Sequence, residues 1–427
     1  MARILVTSLP FGGHVGPMSA VAAELARRGH DVTAHTGAKY RGRFEAAGAR
    51  WLPWTAAQDF DDARLADTFP RVGDGKGIRA NFANFTDVLV GTAAGQAADI
   101  LAAAPFDLLV TDQLAFGGAL AGERLGVAWA TVAVIPLTLA SRDLPPPGVP
   151  VRMSTGRAAR WRNALLWQPL LLANRLAIEP RIGRIRAATG LGPAAVRGPD
   201  GLYSPHLVLA QGAPGLDYPR SDLPAHVHYV GRLAPPAAPV GDPVGDRPAW
   251  WGDLAAARAA GRPVVHVTQG TLDVDPADLL RPALEGLADA PVLVVCTTGG
   301  APADVLGPLP DNARAAPFLP HDELLPLVDV VVSNAGWGGT LAALAAGVPM
   351  VVAGATLDKP EVARRVAWSG AGIDLRTGTP RPARVRAAVT RVLGEPRMRE
   401  RAAELGAALA AAGGVPRAGD LVEELLA

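Results

Sequence analysis

Three short stretches of this chain combine reactive or anion-binding groups with a strand-to-helix setting. The first is Phe11-Gly12-Gly13-His14-Val15-Gly16-Pro17, which follows the apolar run Ile4–Thr7. An imidazole at such a turn suits a general base near neutral pH. The same position also suits a histidine that only caps or packs at a helix start. The second is Leu108-Leu109-Val110-Thr111-Asp112. A carboxylate closing a strand can hold an imidazole in one tautomer and stabilise its charged form. It can equally cap the following helix, and the two roles are compatible. The third is Asn334-Ala335-Gly336-Trp337-Gly338-Gly339-Thr340, after Val330–Ser333. A glycine-rich loop opening a helix presents backbone amides and the positive end of the helix dipole, which suits a diphosphate. The Asn334 amide is expected to point its NH₂ toward that anion. Gly270 and Thr271, after the run Pro263–Thr268, offer a second anion contact from the equivalent place.

Other chemistries fit less well. A dinucleotide fingerprint needs glycines at offsets 0, 2 and 5, whereas Gly12, Gly13 and Gly16 are spaced differently. The second strand ends His35-Thr36-Gly37 with no acidic residue for a ribose hydroxyl, so a nicotinamide enzyme is disfavoured. Metal-dependent group transfer often uses Asp-x-Asp pairs, and two occur: Asp59-Phe60-Asp61 and Asp273-Val274-Asp275. Asp275 precedes Pro276, the pattern of an N-cap followed by proline at the first helical position. The 59–62 stretch follows no strand. Both are read as caps, and no metal site is expected. His226 and His228 share one face of a short strand without nearby ligands and are read as structural.

The elements that must position these groups alternate. Ile4–Thr7, Asp31–Thr36, Ala49–Trp54, Asp107–Asp112, Ala128–Ile135 and His206–Ala210 read as strands, with helices over Met18–Arg28, Ala93–Ala103 and Ala115–Leu125. Short, uniformly apolar runs are the mark of parallel strands covered on both faces. The proline-rich stretch from Gly231 to Pro248 cannot be helix or central strand and reads as a linker. The pattern then recurs: strands Pro263–Thr268, Val292–Thr297, Val328–Ser333 and Val348–Ala353, helices Pro276–Leu287 and Thr340–Ala346. The expected fold is α/β: two doubly wound, Rossmann-like parallel-sheet domains facing one another across a cleft, with ligands beyond the carboxyl ends of the strands. The expected division is residues 1–230, a linker 231–248, residues 249–405, and a tail 406–427. The last helix, Arg397–Ala412, and that tail are expected to return to the first domain.

Composition narrows the function classes. The 427 residues include 41 basic and 40 acidic side chains, a net charge of +1, with 49% hydrophobic residues. At about 150 residues per domain this suits two or three domains. The overall charge gives no electrostatic reason to expect nucleic acid or an anionic membrane as partner. A single cysteine, Cys296, rules out an internal disulfide framework and fits a cytoplasmic protein. The greasy stretch Trp161–Ile178 carries Arg162, Asn163, Gln168, Pro169, Asn174 and Arg175, and no run reaches the length of a membrane span, so no stable membrane insertion is expected.

The ordered series Phe318-Leu319-Pro320-His321-Asp322-Glu323, Asn334–Thr340, Gly347-Val348-Pro349-Met350 and Asp358-Lys359-Pro360-Glu361 resembles the GT-B glycosyltransferases, specifically family 1: the plant, macrolide and antibiotic sugar transferases. The likeness covers the whole chain and is carried most by Phe318–Val366, then by Phe11–Pro17 and Asp107–Asp112. It implies an N-terminal acceptor domain and a C-terminal donor domain. It implies a UDP- or TDP-sugar as co-substrate, no metal or other cofactor, and inversion at the anomeric carbon. His14 matches the family's base and Asp112 its orienting aspartate. Phe318 matches the aromatic stacked on the nucleotide base, with Leu319 to His321 along base and ribose. Gly336, Gly338, Gly339 and Thr340 match the diphosphate loop, together with Gly270 and Thr271. Asp358 and Lys359 match the pair on the sugar hydroxyls. Two positions depart: Asn334 stands where the family usually has histidine, and Lys359 where it usually has glutamine. A lysine there can pair with Asp358, bind phosphate or favour another sugar.

The resemblance and the residues together predict transfer of a sugar to a hydroxyl of a small, largely apolar acceptor. Its pocket is expected along Asp67–Val90 and Pro136–Ile178, with Phe11, Phe82 and Phe85 as walls, or with those aromatics simply as core. Two alternatives remain at this stage: a nucleotide-sugar epimerase of the same fold, and a non-catalytic nucleotide-sugar-binding partner of a biosynthetic pathway. The His14/Asp112 pair argues against both.

Overall fold

A computed structural model describes residues 1–73, 76–147, 149, 151, 153–194, 199–234, 247–270 and 275–426. Thr271, the Asp273-Val274 part of the second Asp-x-Asp pattern, and most of the proline-rich stretch lie outside the described residues. The chain divides into two compact units. One comprises Met1–Gly212, Tyr218–Pro235 and Ala412–Ala427; the other comprises Ala213–Asp217 and Pro236–Ala411.

The first unit holds a seven-stranded, all-parallel sheet. Its strands are β1 (Arg3–Thr7), β2 (Asp31–His35), β3 (Arg50–Leu52), β4 (Leu108–Asp112), β5 (Trp129–Ala133), β6 (Leu207–Ala210) and β7 (Val227–Tyr229). They lie in the order β3-β2-β1-β4-β5-β6-β7. The side-chain period of two divides each strand between two cores. Ile4, Val6, Leu108 and Val110 pack with Val15, Met18, Val21 and Leu25 of the helix Gly12–Arg27. Leu5 and Leu109 pack on the opposite face with Ala93, Ala97, Ile100, Phe116 and Leu120. Each fully buried aliphatic side chain contributes about 1.5–3 kcal/mol. The helix Phe116–Leu125, which follows Asp112, sits close on the sheet because Gly118 lacks a side chain. A Cβ there would lie 2.5 Å from Thr7 and 2.6 Å from Thr111. Substitution at Gly118 would push away the element that fixes the end of β4.

The second unit repeats the plan with six parallel strands: β8 (Val264–Thr268), β9 (Leu293–Thr297), β10 (Ala313–Ala316), β11 (Val330–Ser333), β12 (Met350–Val352) and β13 (Gly372–Asp374). Their order is β10-β9-β8-β11-β12-β13. Cys296 is buried on β9, and burial pushes its thiol up to about 12.

The chain path differs from the expected division at two places. Residues 213–217 belong to the second unit because Ala213 and Leu216 are fully buried in its core. Asp217 there binds the buried Arg365 guanidinium at 2.8 Å. The expected last helix runs Pro396–Ala411 and stays with the second unit, where Leu405 and Leu409 pack with Leu341 and Leu344. A separate helix, Gly414–Glu424, packs on the first unit, with Val415, Ala418, Leu421 and Val422 in its core. Arg28 fastens it, bonding Asp420 at 2.8 Å, Glu423 at 2.6 Å and the Pro416 carbonyl at 2.8 Å. Among the described residues no helix is long and apolar enough to cross a membrane.

Candidate active site

In a doubly wound sheet the strand order reverses at one point, and the loops beyond that point diverge to leave a crevice. In the first unit the reversal lies between β1 and β4, paired in register with Thr7 beside Thr111. His14 follows β1 and Asp112 ends β4. The two side chains meet: His14 Nδ1 is 2.7 Å from Asp112 Oδ2. The Asp112 side chain is wholly buried and that of His14 nearly so.

The aspartate is held on every side. Oδ2 also accepts the Leu9 N–H at 3.1 Å, and Oδ1 accepts the Leu114 N–H at 2.9 Å. These bonds orient the carboxylate toward the imidazole and satisfy its buried oxygens. The Leu114 bond closes a turn ahead of the helix, whose N-cap is Ala115 with no side-chain cap, so Asp112 does not cap that helix as the sequence also allowed. The two backbone donors have no sequence signature, since any residue supplies an N–H.

The stretch around His14 is not a loop. The helix begins at Gly12, so His14 sits in its first turn and Pro17 lies inside it. The proline leaves the Gly13 carbonyl without its helical donor, a defect tolerated near a helix start. The Gly12 N–H is taken by Asp62 at 2.9 Å, and Asp62 also accepts from Tyr40 Oη at 2.8 Å. Asp61 accepts from Lys39 at 2.6 Å and from the Ala63 N–H. Asp59 accepts the N–H groups of Ala38 and Phe60, each at 2.8 Å. The carboxylates of 59–62 thus bind backbone donors, a phenol and Lys39.

Phe11 is buried beside the dyad, its ring 5.4 Å from that of His14 and 5.2 Å from Phe60. Phe82 and Phe85 lie on the helical stretch formed by Gly77–Ala83 and the π-helical Asn84–Leu89, and Phe85 packs against the core cluster that also holds Phe11. Phe82 is exposed under the Arg181 guanidinium, and Phe85 packs edge-on to Phe116 at 6.0 Å.

In the second unit the reversal lies between β8 and β11. Asn334 follows β11, and Gly270, with a positive φ of 72°, follows β8. The Asn334 amide donates to the Gln269 carbonyl. The expectation that its NH₂ faces an anion is corrected to that extent: one N–H ties the ends of β8 and β11 together. Gln269 was not foreseen. Its side chain accepts the Leu280 N–H at 3.0 Å and donates to the Asp275 carbonyl at 2.9 Å. Asp275 accepts the Ala277 N–H at 3.0 Å, and the helix begins at Leu280 rather than Pro276.

The helix expected from Thr340 begins at Trp337, with Gly336 as N-cap and no side chain capping it. Its first intrahelical bond runs from the Thr340 N–H to the Gly336 carbonyl at 2.9 Å. The N–H groups of Trp337, Gly338 and Gly339 therefore precede the helical ladder. Gly338 and Gly339 are exposed, and a Cβ on either would meet nothing within 4 Å. The Thr340 hydroxyl is buried without a hydrogen-bond partner. An open, uncapped helix end with no acidic residue in its first turn favours an anion.

The other expected donor residues occupy loops beyond the same edge. Phe318 is 64% exposed, with its ring edge over Gly300, where a Cβ would come within 3.0 Å of Cζ. Leu319 is buried in the core. His321 opens a short helix, and its ring meets that of His266 on β8 at 5.3 Å. Burial, reinforced by His321, presses His266 down to about 3 and keeps it neutral. Asp358 is the N-cap residue of the helix Lys359–Ser369, its carbonyl accepting the N–H groups of Glu361 and Val362. Lys359 is buried and donates to Thr356 Oγ1 at 3.1 Å. The non-glycine residues with positive φ among those described are Ala335, Leu357 and Arg376, which follow β11, β12 and β13 in turn. Such backbone strain concentrates at ligand-binding loops.

Two all-parallel, Rossmann-like units with their polar groups at the switch points define the GT-B class of glycosyltransferase folds. Residues 283–427 match the family described as erythromycin biosynthesis protein CIII-like, C-terminal domain. Over 438 residues the chain is 42% identical to 4'-demethylrebeccamycin synthase of Lentzea aerocolonigenes, covering 100% of both sequences. The solved glycotransferase of kitacinnamycin has a TM-score of 0.75 at 25% identity, covering 100% of this chain and 99% of that one. A spinosyn rhamnosyltransferase, solved with spinosyn aglycone and with thymidine diphosphate, has a TM-score of 0.68 at 21% identity over the full length of both chains. The chain belongs to the family 1 glycosyltransferases of natural-product pathways, and its activity is sugar transfer.

Proposed function

We propose that this enzyme transfers a sugar from a nucleotide-diphosphate sugar to a hydroxyl of a small, largely apolar acceptor, with inversion at the anomeric carbon and without a metal. The observation that carries the reading is the 2.7 Å contact between His14 Nδ1 and Asp112 Oδ2 at the first switch point. With Nδ1 held by the carboxylate, Nε2 is the nitrogen assigned to the acceptor proton. The acceptor O–H bond breaks toward Nε2 while the oxygen forms its bond to the anomeric carbon. The bond from that carbon to the diphosphate breaks on the opposite face, so a single displacement inverts the centre. Asp112 stabilises the imidazolium as it forms.

The leaving diphosphate carries the electron pair away. The N–H groups at Trp337, Gly338 and Gly339 and the dipole of that helix are the donors proposed for it, with Thr271 and the Thr340 hydroxyl as further candidates. Phe318 is assigned to the base, His321 to the ribose, and Asp358 and Lys359 to the sugar. Phe11 is assigned to the acceptor, since its ring lies beside that of His14. The name of the rebeccamycin relative and the aglycone complex of the spinosyn enzyme support an apolar acceptor.

The test is incubation with a panel of nucleotide sugars and aglycones, read by mass and by anomeric NMR. A glycoside of inverted configuration plus free nucleotide diphosphate is expected. An epimerised donor with no glycoside, or retention of configuration, would overturn the reading.

A further inference from the structure

The near-zero net charge of the chain conceals one strongly asymmetric segment. Residues 157–188 form a continuous helical run: Arg157–Ala173, the π-helical Asn174–Ile178 and Glu179–Ala188. It contains arginines at 157, 160, 162, 175, 181, 184 and 186 against a single acid, Glu179. Arg160 and Arg186 pair with Asp143 and Glu123, both at 2.6 Å. Arg157, Arg175 and Arg184 are exposed.

The same run exposes an apolar stripe. Trp161 is 75% exposed, Leu165 70%, Leu172 57% and Leu176 70%, with Leu171 at 50% beside them. Spacings of four, seven and four place the first four on one helix face. At 1.5 Å per residue the stripe is about 22 Å long. These five are nearly half of the large hydrophobic residues exposed anywhere among the described residues, the others being Met1, Phe82, Leu309, Phe318, Leu357 and Trp368. The rotation of the helix is fixed from inside. Ala159, Asn163, Ile178 and Ile182 are buried; Asn163 donates to the Asp143 carbonyl and Trp167 Nε1 to the Leu144 carbonyl, each at 2.9 Å. The stripe therefore faces outward by construction.

We propose that this helix docks the enzyme peripherally on an anionic lipid surface. Trp161 and the four leucines would enter the headgroup–acyl boundary while Arg157 and Arg175 meet lipid phosphates, the arrangement of an interfacial amphipathic helix. Charge chooses this occupant over a second copy of the chain. A two-fold contact through the same stripe would set the arginine-rich flanks of two copies against each other. The stripe lies within Pro136–Ile178, the stretch expected to line the acceptor pocket; because vesicle binding is read without substrates, its failure leaves the sugar-transfer reading untouched.

The test is co-sedimentation of the full-length protein with vesicles of phosphatidylcholine, with and without phosphatidylglycerol. Binding is expected only where the anionic lipid is present, falling at least about tenfold as salt screens the surface charge. The paired change Leu165→Glu with Leu172→Glu should abolish it. Arg157→Gln with Arg175→Gln should weaken it several-fold. Circular dichroism and thermal melts confirm that both variants remain folded. No binding to anionic vesicles, equal binding to both vesicles, or wild-type binding by the glutamate variant would overturn the proposal. So would a dimer, seen by light scattering, that only the glutamate variant dissociates; the stripe would then be a contact between copies.

Discussion

The two sheets share one winding and differ in what stands at the reversal. Between β1 and β4 the chain places a titratable pair, with Asp112 buried and locked by two backbone donors. Between β8 and β11 it places no bonded imidazole–carboxylate pair among the described residues, but an amide, a left-handed glycine and an uncapped helix end. On the function proposed above, the first crevice would move a proton and the second would hold an anion. The histidines make the contrast sharper. His14 lies beyond the end of β1, beside the crevice. His266 lies within β8, buried and kept neutral. The same topology thus offers position, and a handful of side chains decides the chemistry.

Breaking the first crevice should have the largest effect. His14→Ala is expected to lower kcat by roughly 10²–10⁴ while leaving the KM for donor nearly unchanged. Wild-type turnover would remove the base assignment. Asp112→Asn removes the charge that favours imidazolium and leaves one acceptor oxygen, so one of the Leu9 and Leu114 N–H groups, which bind different carboxylate oxygens, loses its partner. A loss of about 10–10³ in kcat is expected, larger than the roughly 1–3 kcal/mol of stability lost with the unpaired donor would explain in a protein that stays folded. If stability falls and kcat does not, Asp112 only ties the turns at Leu9 and Leu114.

The second crevice is tested by giving its helix a charge of its own. Gly338→Asp fits sterically, since a Cβ there meets nothing. A carboxylate at a helix N-terminus stabilises the fold by about 0.3–1 kcal/mol. It should also repel the diphosphate and raise the KM for donor about 10–100-fold with little change in kcat. Opposite signs in melting temperature and affinity are the signature; unchanged affinity would move the anion elsewhere.

The buried histidine gives a smaller effect. Its folded pKa of about 3 lies below the unfolded value of 6.5, so below pH 6.5 the unfolded chain binds the extra proton. Stability is therefore lost as pH falls from 6.5 toward 3. His266→Gln should remove this loss, a difference of about 2 kcal/mol at pH 5. Denaturant titrations of both proteins across that range measure it; parallel curves would mean that His266 titrates normally. Smallest is the response to metal removal. Excess EDTA should leave activity within about twofold, as no Lewis acid is invoked. Complete loss restored by Mg²⁺ would bring the Asp-x-Asp patterns back as ligands.

Much of this architecture was legible because parallel strands buried on both faces are uniformly apolar. Leu108–Val110, Leu293–Val295 and Val330–Val332 announce themselves in this way. The edge strands β10, Ala-Arg-Ala-Ala, and β13, Gly-Ile-Asp, carry no such run and exist only because a neighbour pairs with them. Glycine content misled at both helix starts. Glycine lowers helix propensity in an interior. In a first turn, where the N–H groups lack helical acceptors anyway, it costs less, so the helices begin at Gly12 and Trp337. The division of the chain after Gly212 was also hidden, since it depends on which core accepts Ala213 and Leu216.

The sequence by itself determined the fold class, the two-fold recurrence of the winding, and the residue types at the ends of β1, β4, β8 and β11. These are local properties of period, composition and punctuation. Tertiary structure alone decided that His14 and Asp112, 98 positions apart, share a hydrogen bond, and that Asn334 reaches the Gln269 carbonyl 65 positions away. It also decided that the stripe from Trp161 to Leu176 faces outward. The reason is the same in each case: a contact between distant residues is fixed by strand pairing and core packing, which no local pattern encodes.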